Sequence, residues 1–185
     1  PKEQPRKNAA VLGEAKFSSL GCATCHVPAL KLNSPVFTEP GPFNPTGNLR
    51  PSDVSAVYAV DLVDAAFGPT LPKLPDGSVM VPAFTDLKRH DMGPLLNNEA
   101  LQQAGVPTSH WLTKKLWGFA NEPPYLHHGR ALTIEEAILA HGGEGQAARD
   151  AYAALPPAER NQVIEFLRTL QVLPETATSL QIEEP

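Results

Sequence analysis

Cys22, Cys25 and His26 stand in the run CATCH at 22–26. The two thiols lie three residues apart on one turn, where both can form thioethers with the vinyl groups of one haem while the adjacent imidazole reaches the iron. A CxxC alone also suits a thioredoxin-like redox pair, half of a zinc site or an incidental buried pair. Zinc would need two more ligands, and no second CxxC or HxxxH exists. The histidine directly after the pair favours one covalent haem c. The chain has only 2 cysteines, so a framework of several disulfides is excluded.

A low-spin electron carrier needs a second axial ligand, and a thioether raises the reduction potential relative to imidazole. The chain has 2 methionines. Met80, in the apolar run SVMVPAF, reads as core filler. Met92 follows charged residues and precedes Gly93-Pro94, a turn able to present its side chain to a metal, and it is the expected ligand together with His26. His90, two residues earlier on the same loop, is the rival. His110, His127, His128 and His141 read as loop or cap residues.

The elements that must hold these groups are helices separated by long loops. Residues 9–20 read as a short helix feeding Gly21 and the CxxCH, with Leu12, Ala15, Lys16, Ser19 and Leu20 at helical spacing. The 20 prolines among 185 residues are about twice the usual frequency of roughly 5%, and most fall between candidate helices. Between Val27 and Thr85 they leave room for one helix, SDVSAVYAVDLVDAAF from Ser52. Its repeated valines also allow short strands. Thr133 and Glu136 form a T-x-x-E capping box opening a helix that stops at Gly142-Gly143. A last helix follows Pro156-Pro157, carries an apolar stripe of Val163, Ile164, Leu167 and Leu170, and ends by Pro174. The expectation is a mainly α fold: a single c-type cytochrome domain over 1–185. It would comprise an N-terminal helix and CxxCH (9–26), a loop-rich part with the distal ligand (27–132), C-terminal helices (133–173) and a tail (174–185). A helix before the motif and another at the far end resemble class I cytochrome c, whose terminal helices pack across each other.

Net charge is −5, from 15 basic and 20 acidic residues, with no basic stripe to track a phosphate backbone and no polybasic membrane patch. Nucleic acid is excluded as an expected partner. No run approaches the roughly 18 apolar residues of a membrane span, and the first residues lack a signal-peptide core, so a soluble chain is expected.

Longer motifs go further. FTDLKRHDMGP at 84–94, LWG at 116–118 and PYLHHGRALTIEEAILAHGGEG at 124–145, followed by Ala148-Arg149, Tyr152, Leu155 and VIEFLRTL at 163–170, resemble the carboxy-terminal haem domain of the di-haem oxidoreductase family. That family belongs to the bacterial di-haem cytochrome c peroxidase superfamily. His128 departs from the aspartate usual at its position, and one CxxCH stands where superfamily members carry two, so the chain resembles a single half. The resemblance implies the six-coordinate, high-potential electron-entry haem, with peroxide chemistry belonging to the half that is missing. It also implies a calcium ion between domains, for which Thr70-Leu71-Pro72 is a weak candidate beside its plainer reading as a turn. Arg130 suits a haem propionate or, equally, a helix-start ion pair with Glu135 or Glu136. Trp117, like Trp111, could assist electron transfer near a haem, though large aromatics usually serve the core.

Two functions therefore compete. One is a one-electron relay between a small redox protein and a second haem domain. The other is a haem enzyme with an open sixth site that reacts with peroxide, with His90 as acid/base. A structural domain without cofactor is the bland alternative. Attachment through CxxCH takes place outside the bacterial cytoplasm, which places the expected protein in the periplasm or on the outer surface.

Overall fold

A computed structural model describes residues 3–64, 71 and 73–171. It divides into two compact units, one of residues 1–28 and 83–185, the other of residues 29–82.

Among the described residues the first unit holds four α-helices: α1 (Glu3–Ser19), α2 (Ile134–Leu139), α3 (Gln146–Ala153) and α4 (Pro157–Arg168). The terminal pair, α1 and α4, packs together as the cytochrome-like layout implied. The buried face of α1 is Ala10, Gly13 and Phe17, while Val11 and Leu12 are exposed. Gly13 is the point of closest approach. A Cβ there would overlap the Gln162 carbonyl oxygen and lie 2.9 Å from the Phe166 Cβ. Phe17, Phe84 and Phe166 meet pairwise, with ring centroids 5.4–6.2 Å apart, and Tyr152, Val163 and Leu167 complete the centre of the core. Each such buried aromatic contributes about 1.5–3 kcal/mol of apolar burial. The capping box of α2 forms as expected. Thr133 accepts from the Glu136 N–H at 3.1 Å, and the Glu136 carboxylate accepts from the Thr133 N–H at 3.0 Å. Helix α3, which the sequence did not mark off from its neighbours, follows α2 in the chain and packs against it.

The mainly α expectation is corrected. The fold is mixed α/β, with three two-stranded antiparallel ribbons among the described residues. In the second unit β1 (Leu30–Leu32) pairs with β4 (Val79–Val81), and β2 (Val36–Glu39) with β3 (Tyr58–Asp61). In the first unit β5 (Arg89–Asp91) pairs with β6 (His110–Leu112). The helix expected from Ser52 is instead a 3-10 turn, Pro51–Asp53, followed by β3. Val60, the β-branched residue within β3, pairs with Phe37 of β2, and the ladder takes up backbone hydrogen bonds that a helix would have used. The end of that run, Ala65 to Phe67, lies outside the described residues. Met80 does not fill a core either. It is 40% exposed on β4, and its neighbour Val79 takes the buried position.

Candidate functional site

Gly21, at φ +91°, ends the descent from α1 and opens a 3-10 turn over Cys22–Thr24. A left-handed backbone here favours glycine, and it lets the chain reverse so that the motif closes on itself. The His26 N–H donates to the Cys22 carbonyl at 3.0 Å and the Val27 N–H to the Cys25 carbonyl at 2.9 Å. Both cysteines are half-buried, unbonded to each other and free. Burial pushes the Cys22 thiol up to about 11. The Cys25 thiol is also raised, first by burial and then by the carboxylates of Asp86 and Glu144. An activated dithiol needs the opposite shift, so this geometry does not suit thioredoxin-like exchange.

His26 donates its Nδ1–H to the Phe84 carbonyl at 3.1 Å. That commitment fixes the tautomer and leaves Nε2 with its lone pair, the form of imidazole that ligates a metal. Burial holds the ring neutral, with its pKa pushed down to about 4 although the bond to Phe84 opposes the shift. Phe84 keeps a left-handed backbone, φ +52°, which bulky side chains rarely adopt. Segment 84–85 is tied to the stretch after the motif, because the Thr85 N–H donates to the Val27 carbonyl at 3.1 Å.

The structure brings the Met92 loop to this motif. The Nδ1 of His90 lies 3.9 Å from the Cys25 sulfur. His90 itself is clamped, with Nε2 2.9 Å from Asp86 Oδ2 and Nδ1 2.8 Å from Glu144 Oε2. Glu144 first and Asp86 second raise its pKa. Burial opposes ionisation of Asp86, yet hydrogen bonds from the Lys88 N–H and from His90 hold its carboxyl at about 2. Both ring nitrogens of His90 are thus engaged with carboxylates. Met92 is pinned on its other side by β6, through the Met92 N–H to the Ser109 carbonyl at 2.9 Å and the register His90 to Trp111.

His141, read from the sequence as a loop or cap residue, belongs to this cluster. Its ring centroid is 6.4 Å from that of His26, inclined at 55°. Its Nδ1 donates to the Ala137 carbonyl at 2.7 Å, and burial lowers its pKa. The Met92 methyl and the His141 ring pack around one point beside Gly145, at 3.3 and 3.4 Å from where a Cβ would stand. The only sequence signal for this placement is that His141 closes α2 directly before the glycine pair.

Other expected residues stand apart from the cluster. Trp117 is half-buried, and its carbonyl accepts from Lys115 Nζ at 2.8 Å. Trp111 stacks on His127 at 3.5 Å, and its indole N–H donates to the Leu96 carbonyl at 2.8 Å. Arg130 is exposed beside a cavity of about 200 Å³ lined by Leu95, Leu96, Leu126, His128 and Glu136. The helix-start pair is not made. Glu135 takes Arg160 at 3.0 Å, and Glu136 is spent on the cap, so Arg130 has no carboxylate partner among the described residues. Of the calcium candidate, Thr70 and Pro72 lie outside the described residues.

A family model described as "Di-haem oxidoreductase, putative peroxidase" matches residues 72–170, more than half of the chain. The chain belongs to this di-haem oxidoreductase family. The matched stretch holds the Met92 loop, His141, Glu144 and helices α2 to α4, and begins after the CxxCH. Membership makes haem the expected cofactor and oxidoreduction the chemistry, at the level of the family. Di-haem oxidoreductases are generally extracytoplasmic. Among the described residues, no helix is long and apolar enough to cross a membrane. No curated protein and no solved structure matches the chain.

The residues present fit a haem. The motif offers two thiols and an imidazole whose Nδ1 is already committed. A second neutral imidazole, His141, has its ring centroid 6.4 Å from that of His26, and the Met92 thioether packs beside His141 at Gly145.

Proposed function

We propose that this di-haem oxidoreductase holds one haem c through thioethers of Cys22 and Cys25, with His26 and Met92 as axial ligands, and relays single electrons. The observation that carries this reading is the His26 Nδ1–H bond to the Phe84 carbonyl, which orients a neutral ring with Nε2 left for a metal. Bound there, haem supplies reversible exchange of one electron at iron. The protein's share is to orient His26, to present Met92 from a loop pinned on both sides, and to keep a core of Phe17, Phe84 and Phe166 beside the motif. Arg130, unpaired among the described residues, is assigned to a propionate, because its planar fork matches a carboxylate. Partners on this reading are a small redox protein and a second haem domain, in the periplasm. Peroxide chemistry with His90 as acid/base is less well supported, since both ring nitrogens of His90 are held by carboxylates.

A second axial reading rests on His141. His141 is a second neutral imidazole whose ring centroid lies 6.4 Å from that of His26, so His26 and His141 would together hold the group on this reading.

Optical spectra of haem-loaded protein separate these readings. The expected result is one haem per chain and a far-red sulfur-to-iron band that Met92→Ala abolishes and His141→Ala leaves in place. A spectrum altered by His141→Ala alone would establish the bis-imidazole reading. High-spin ferric iron that changes rapidly with peroxide would overturn both in favour of the enzyme.

A further inference from the structure

The loop that carries Met92 rests on the turn after α2, and every residue from 142 to 145 contributes to the seat. A Cβ on Gly142 would lie 2.9 Å from the Met92 carbonyl oxygen, and one on Gly93 would lie 2.6 Å from the Gly143 nitrogen. Gly143 has φ +49°, and a Cβ there would overlap the Asp91 carbonyl oxygen. Glycine is therefore required on both faces of this contact, because backbone meets backbone with no side-chain layer between. Glu144 then locks the two loops together. Its Oε1 accepts from the Asp91 N–H at 2.9 Å, and its Oε2 bonds the His90 Nδ1 at 2.8 Å. The far side of His90 is held by Asp86, whose side chain is only 8% exposed. Gly145 closes the seat against the Met92 methyl.

We infer that Glu144 is the positioning residue of the Met92 ligand, and that the Gly142–Gly145 turn governs how readily Met92 yields to an exogenous ligand. This rests on the His26/Met92 reading. Two hydrogen bonds accepted by one carboxylate tie down the residues immediately before Met92, and charge-assisted bonds are the strong ones. Without them the loop keeps its ribbon with β6 but loses its anchor to the turn, and local opening costs less. A ligand held on a loop that opens more often is displaced more easily, with no change in the ligand itself.

The test uses ferric, haem-loaded full chain titrated with imidazole and followed optically. Glu144→Ala is expected to keep the far-red band and to bind imidazole about 10-fold more tightly. Glu144→Gln, whose amide oxygen still accepts from the Asp91 N–H, should fall between Glu144→Ala and wild type. Thr133→Ala, which weakens the start of α2 without touching the seat, should leave imidazole affinity unchanged. If Glu144→Ala yields no haem-loaded protein, Glu144→Gln decides alone, and wild-type imidazole affinity in it overturns the inference. Wild-type affinity in both Glu144 variants, with the band lost in Met92→Ala, overturns the seat and leaves the axial reading standing. A band that survives Met92→Ala overturns the axial reading, and the seat falls with it.

Discussion

His26 Nδ1 and the Phe84 carbonyl oxygen are 3.1 Å apart, and the residue that offers this oxygen holds a left-handed backbone, φ +52°. Phe84 is thus asked for two things at once. Its ring packs against Phe17 and Phe166 in the core, while its strained backbone aims a carbonyl at the candidate proximal ligand. Packing of the ring is what holds the strain in place. Phe84→Ala should destabilise the fold by about 3–5 kcal/mol, the usual cost of emptying a buried phenylalanine site. It should also shift the midpoint potential, because the carbonyl is released from its aim. Denaturant melts and potentiometry check the two effects, and a potential unchanged in a folded variant would show that the aim does not depend on the ring.

Burial keeps His26 and His141 neutral in the haem-free chain, with His26 pushed down to about 4. An unfolded histidine titrates near about 6.5. Below about 6.5 the unfolded chain binds more protons at both positions than the folded one, so their contribution, fully present above about 6.5, is lost as pH falls, for His26 down to about 4. His90 works in the opposite sense, since its raised pKa adds stability below about 6.5 that is lost as pH rises through its folded value. The urea midpoint of haem-free wild type should therefore drop from pH 7 to pH 5 more steeply than that of the double variant His26→Gln/His141→Gln. Equal slopes would mean that the two rings are not held neutral by the fold.

What the sequence made legible was local chemistry. CxxCH, the Met92 turn, the T-x-x-E cap and the stop at Gly142-Gly143 are each written within a few residues, and their physics is local. The valine-rich run from Ser52 was misread because its fate depends on β2, a strand about twenty residues away that periodicity cannot reveal. The inward face of α1 was not legible for a similar reason. Val11 and Leu12 look like core residues, yet the close contact with α4 is made through Gly13, a position that carries no hydrophobic signal. His141 and Glu144 join the site only when the turn after α2 meets the Met92 loop, about fifty residues earlier in the chain.

Gly13→Ala sets two effects against each other. Alanine is the better helix former by about 1 kcal/mol. The new Cβ, however, overlaps the Gln162 carbonyl oxygen, a backbone atom that no rotamer change can move aside. Overpacking of this kind typically costs about 1–3 kcal/mol, and here the whole of α4 must shift to relieve it. Net destabilisation of about 1–2 kcal/mol is expected, read as a lowered denaturant midpoint. A variant as stable as wild type would show that α1 and α4 separate freely at this point.

Arg130 offers the sharpest separation of binding from folding. Glu135 is taken by Arg160, and Glu136 is taken by the backbone at the start of α2, so neither acidic neighbour neutralises the guanidinium. An exposed arginine without a partner contributes little to stability, and Arg130→Leu should leave the denaturant midpoint of the haem-free chain unchanged. Paired with a propionate, the same guanidinium would cancel a negative charge near the iron, and removing it would favour the ferric state. The midpoint potential of haem-loaded Arg130→Leu should therefore fall, and Arg130→Lys should recover part of the loss by restoring the charge without the planar fork. A potential that stays at the wild-type value in Arg130→Leu would remove Arg130 from the haem site and leave the cavity beside it as its remaining context.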